Sequence, residues 1–139
     1  MTRHVLTVRG PLRGKGRPRS RKHGAGVYAD PKDKPAENAL RAAAMEAGLK
    51  PMDGFVRVRV VAVGRIPPSW TKRKRAEKLA AHYDDRKPDG SNVLKLVEDA
   101  LNGIAWHDDV QCVDVACERR IDEGGERIIV SIEPARWRE

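Results

Sequence analysis

The chain has 139 residues, a formal charge of +8 and only 4% aromatics, so it suits one domain with a modest core of Val, Leu, Ile and Ala. It contains no apolar run near the ~18 residues of a membrane span, which excludes a transmembrane helix. Arg3 and His4 lead directly into an alternating segment, unlike the charged-then-apolar plan of a signal peptide.

The location of the charge is more telling than its size. Residues 1–35 hold ten Lys/Arg and two Asp, whereas residues 36–139 hold eighteen of each sign. The whole excess therefore lies in the first quarter, a basic lobe on a neutral body. That distribution points to a polyanion partner or, more blandly, to a solubilising arm.

Residues 4–9 alternate as a strand does. Residues 10–26 are rich in Gly, Pro and base, which predicts a flexible or hairpin-like arm displaying its guanidinium and ammonium groups to a polyanion. The arm lacks the Gly-x-x-x-x-Gly-Lys-Ser/Thr of a Walker phosphate loop. Residues 27–29 suit a short strand. Pro35 fits the first turn of a helix ending near Ala47 and Gly48. Its stripe of Ala39, Leu40, Ala43, Ala44 and Ala47 predicts close packing on a sheet.

Residues 55–63 alternate Val56, Val58 and Val60 with Arg57 and Arg59, a strand with one buried face. The arginines are either a solvated face or the lining of a duplex channel. Ser69 is placed to cap a helix from Trp70 to about His82, carrying the run Lys72-Arg73-Lys74-Arg75. Trp70 with these bases either stacks on nucleic acid or, with Leu79, anchors a solvated helix.

Val93, Val97, Ala100, Leu101 and Ile104 recur at helical spacing, with Ser91 at the expected N-cap and Gly103 at the stop. Asp89 precedes this helix, and Asp108 and Asp109 follow it. If the two ends meet in space, their carboxylates beside Lys95 make a hard-oxygen site suited to Mg²⁺. Asp99 falls one turn after Lys95 and is placed to orient its amine. Residues 110–119 and 127–133 read as two strands of an antiparallel hairpin around the turn at 122–126. Cys112 and Cys117 lie five apart in the first of these strands, so alternation points them to opposite faces. That spacing makes no CxxC pair, and reduced structural thiols in a cytoplasmic protein are expected. Trp137 is either a packing cap or a dimer contact. The expected fold is α/β (α+β): one domain over residues 1–139, with a mixed sheet of four or five strands and about three helices.

The run Lys87-Pro88-Asp89, Asn92, Lys95, Asp99-Ala100-Leu101-Asn102-Gly103, Trp106, Asp108-Asp109 and Gln111 resembles, in register, the RusA family of Holliday-junction resolvases. The arm segment 14–19 and the segment 66–75 resemble phage members of that family too. The resemblance implies a small Mg²⁺-dependent endonuclease, with Mn²⁺ as a substitute and no small-molecule cofactor. It would act as a homodimer that nicks four-way or branched DNA in recombination and repair. It assigns metal binding to Asp89 and Asp109, an essential lysine to Lys95, and auxiliary roles to Asp108 and Asn92, with Lys15, Arg17, Arg19, Arg21 and Lys22 of the arm and Lys72 and Arg73 as DNA contacts. The family usually has aspartate where this chain has Ser91, a weak neutral ligand. Three outcomes stay open: water fills that place, Asp85 or Asp108 compensates, or the protein binds junctions but cuts poorly. The rival reading is a catalytically silent junction-binding protein of a phage or prophage.

Overall fold

In the computed structural model, residues 3–16, 19–20, 27–28 and 31–137 are described. In chain order the elements are β1 (His4–Arg9), β2 (Arg19–Ser20), β3 (Val27–Tyr28), α1 (Lys34–Glu46), β4 (Val56–Gly64), α2 (Lys72–Ala81), α3 (Gly90–Leu101), β5 (Cys112–Ile121) and β6 (Arg127–Pro134). Four strands form one mixed sheet in the order β1-β6-β4-β5, in which only β4 and β5 run parallel. This is the α+β fold expected from the sequence, with three helices. The basic arm contributes a separate two-stranded ladder, β2 with β3. Of the predicted DNA contacts on that arm, Arg17, Arg21 and Lys22 lie outside the described residues, and Arg19 is described only as backbone.

Val56, Val58, Val60 and Ala62 of β4 face the core and Arg57 and Arg59 the other side, as alternation requires. Helices α1 and α3 cover the core face. Val93, Val97, Ala100 and Leu101 of α3 meet Leu40 and Ala44 of α1 over Val58, Val60, Val130 and Ile132 of the sheet. Pro35 opens α1 as predicted, and Gly48 follows it at φ +73°, where a side chain would be strained. Of the small-residue stripe only Leu40 and Ala44 are buried. They pack chiefly against α3 and β1.

Three expectations are corrected by the tertiary arrangement. First, β5 and β6 are not a hairpin, because β4 lies between them and the turn at 122–126 crosses its end. Placing this apolar strand centrally satisfies its backbone on both edges, which turn composition does not reveal. Second, Cys112 and Cys117 share the core face. A bulge between Val56 and Arg57 in the β4–β5 register lets one extra β5 residue slip in, which resets the alternation. Burial first, with help from Glu98 and Asp109, pushes the Cys112 thiol up to about 12. Burial likewise raises Cys117 to about 11, so both are held as free thiols. Third, α2 is capped by Thr71, whose hydroxyl accepts from Lys74 N at 3.1 Å, and not by Ser69. The helix buries no residue. Trp70 precedes it, with the Arg86 guanidinium 4.7 Å and Lys74 Nζ 5.4 Å from its ring centroid. The indole thus anchors its own protein through cations. Trp137 is 91% exposed and caps no packing.

Candidate active site

The site is built around the two ends of α3. Asp89, in an extended conformation, is the N-cap: its Oδ1 accepts from Asn92 N at 2.9 Å and its Oδ2 from Asn92 Nδ2 at 3.3 Å. Ser91 is therefore not the cap. It is an exposed residue in the first turn, so serine in place of aspartate there removes a charge and leaves helix initiation untouched. Asn92 holds the Asp89 carboxylate through both its backbone and its side-chain amide.

The segment before Asp89 is fastened from below. Asp84 is buried and accepts from the Arg86 guanidinium at 2.9 Å on each oxygen and from Arg119 Nη2 at 3.1 Å. Burial resists its charge, but Arg86 first and Arg119 with it hold the carboxyl below its usual range. Gly64, at the end of β4, lies so close to Asp84 that a Cβ there would strike its carboxylate. Asp89 itself is exposed and opens onto a hollow of about 370 Å³ shared with Tyr83, Asp85, Arg86, Cys117 and Glu118.

At the other end, Trp106 is fully buried and its Nε1 donates to Asp109 Oδ1 at 2.8 Å. Asp108 caps a short 3₁₀ turn, accepting from Val110 N at 3.0 Å. Gln111 ties this turn down: its Oε1 accepts from the His107 and Asp108 amides, and its Nε2 donates to Met52 O and Gly54 O. Glu98, near the end of α3, has its pKa raised by burial first and then by Asp109 and Asp99.

Asp89 and Asp109 therefore keep different company. Asp89 lies at the start of α3, while Asp109 acts on Glu98, about 13 Å of helix rise further along. Among the described residues, no three His, Cys, Asp or Glu side chains are grouped to hold a metal ion. The donor type fits a hard divalent cation, since both groups are carboxylates and Asp109 Oδ2 accepts no hydrogen bond among the described residues.

The cations fall differently from expectation. Lys95 is exposed and has no ion-pair partner among the described residues. Asp99 does not orient it, because Asp99 pairs with Lys15 at 3.3 Å. Lys15, expected on DNA, also binds Glu37 at 2.8 Å and lies 3.9 Å from Asp33. Burial works against its charge, yet Glu37 and Asp99 outweigh that and raise its pKa. It is a structural tie, with its amide donating to Asn92 O at 2.9 Å. The root of the arm is thus seated on the first turn of α3. Arg57 and Arg59 are each paired with Asp114 at 2.7 Å, which favours a neutralised face over a duplex channel. Lys72 and Arg73 are exposed on α2, where Arg73 meets only Glu77 among the described residues, at 3.3 Å.

The sequence did not reveal the work of Trp106, Gln111, Glu98 or Arg119. The first two stand in the motif, but their bonds depend on a loop that folds back. Arg119 left a faint signal, a cation at the end of a half-buried strand.

An α+β domain with carboxylates at both ends of one helix, a lysine on its flank and a basic arm rooted on its first turn has the parts of a DNA-processing enzyme. The chain matches the family described as endodeoxyribonuclease RusA over residues 9–133, and it belongs to that family. Its general activity is accordingly that of a Holliday-junction-resolving endonuclease, and its substrate class is branched DNA. No curated protein matched the chain. None of its helices among the described residues is long and apolar enough to cross a membrane.

Proposed function

We propose that this protein resolves four-way junctions by paired, Mg²⁺-dependent nicks as a homodimer in the cytoplasm, with Mn²⁺ able to substitute. The observation that carries the reading is Asp89. Its carboxylate is locked by Asn92 at an open hollow, beside the seated root of the basic arm. Asp89 and Asp109 would hold the metal, which when bound supplies a Lewis acid and lowers the pKa of a ligated water. Lys95, without an ion-pair partner among the described residues and on the exposed flank of α3, would face the scissile phosphate and offset its developing charge. Asp108 shapes the turn that presents Asp109. Lys72 and Arg73 on α2, with Arg17, Arg19, Arg21 and Lys22 of the arm, would hold the DNA backbone.

The separation of the two carboxylates supports the dimer. Asp89 caps the start of α3 and Asp109 acts on Glu98 near its end, and two chains related by a two-fold axis can juxtapose opposite ends of that helix. Two such sites would also suit two symmetric nicks.

The test is cleavage of a mobile four-way junction with Mg²⁺. The parent protein and its Ser91→Asp version should both cut, and Asp89→Asn should bind the junction without cutting it. A parent that leaves the junction intact while Ser91→Asp cuts it would overturn the enzymatic reading. That result would favour the silent junction-binding protein, the alternative that uncharged Ser91 keeps in view.

A further inference from the structure

Arg119 is a cation at a core-facing position of β5, opposite Ala62 of β4. Its side chain is only 8% exposed. A buried guanidinium is tolerated only when its charge and its donors are met. Here they are. Nε donates to Pro88 O at 2.8 Å, Nη1 to Ala62 O at 2.8 Å, and Nη2 to Asp84 Oδ2 at 3.1 Å and Arg86 O at 3.4 Å. Three of these four acceptors belong to the segment running into α3, and the fourth belongs to the central strand. The fork thus fixes one irregular segment to the most rigid part of the sheet.

The acceptor on Nε is the carbonyl of the residue immediately before Asp89. A shift of Pro88 would carry the Asp89 backbone with it and change where its carboxylate points relative to Asn92. Arg86 cannot substitute, because its donors go to Asp84 and to Arg65 O and do not reach Pro88.

We infer that Arg119 is a positioning residue for Asp89, setting the place of its carboxylate through Pro88 O while touching neither metal nor DNA. This rests on the reading of Asp89 as a metal-holding carboxylate. Arg119→Gln should exchange the Asn92 amide, which Asp89 caps, about tenfold faster than the parent. It should also raise the Mg²⁺ concentration for half-maximal junction cutting by about tenfold, as expected when a reacting group is displaced by a fraction of an ångström to an ångström. Val130→Ala, a core change on β6 that removes no hydrogen bond to the segment before Asp89, controls for general loss of stability and should move neither quantity at matched folded fraction.

The inference is overturned if Arg119→Gln alters Asn92 exchange and Mg²⁺ demand no more than Val130→Ala does. Should Arg119→Gln fail to fold, Arg119→Lys keeps the charge beside Asp84 with a single nitrogen, and is read against the same two outcomes. Asp89→Asn separates the two ideas. If that variant cuts at the parent rate, the reading of Asp89 has failed, whatever Arg119→Gln does to the Asn92 amide.

Discussion

Trp106 and Asp109 are joined by one bond, from the indole Nε1 to Oδ1 at 2.8 Å, and through it the core holds the acidic turn. The indole is fully buried, so the carboxylate inherits the rigidity of the interior although it sits at the surface edge. Trp106→Phe should remove the donor and leave a small void, costing about 1–3 kcal/mol by urea unfolding. With Asp109 released, junction cutting should fall by about tenfold or more at saturating DNA. Unchanged cutting would show that Asp109 needs no such tether.

Asp89 has two separable roles, cap and carboxylate. Asparagine caps about as well as aspartate, so Asp89→Asn should unfold within about 0.5 kcal/mol of the parent and still lose cutting. Asp89→Ala should lose cutting and also about 1 kcal/mol of stability. Parallel urea melts and cleavage assays distinguish these outcomes.

Gly14 lies where the arm crosses the start of α3. A Cβ there would stand 2.8 Å from Pro88 Cβ and 2.9 Å from Asn92 Cβ, too close for either to stay where it is. Gly14→Ala should therefore cost roughly 1–3 kcal/mol through overpacking and lift the arm from its seat. Gel shifts across a salt series should show weaker junction binding with a shallower salt slope, as phosphate contacts are lost.

Glu98 makes the pH dependence of stability testable. Burial first, then Asp109 and Asp99, raise its pKa, so the folded state holds its proton to higher pH than the unfolded state does. Its contribution to stability is fully present below the ordinary glutamate pKa of about 4.3 and is lost as pH rises through the raised value. Glu98→Gln should accordingly be more stable than the parent at pH 7, and that advantage should vanish by about pH 4. Urea melts at the two pH values check the sign.

The sequence determined the local elements and the chemistry they carry. The alternation of β4, the periodicity of α3, Pro35 in the first turn of α1 and the acids flanking α3 follow from side-chain type and spacing, which act over a few residues. Tertiary structure decided the rest. The insertion of β4 between β5 and β6, the bulge that turns both cysteines inward, and the seating of Lys15 among Glu37, Asp99 and Asp33 join residues far apart in the chain. The capping role passed from Ser91 to Asp89 because either residue suits a cap, and only the backbone path into the helix selects between them. The place of Asp109 relative to Asp89 was likewise beyond the sequence. Helix rise sets how far apart the ends of α3 lie, but the loop from Asn102 to Asp108 folds onto Trp106, and that packing determines where the second carboxylate comes to rest.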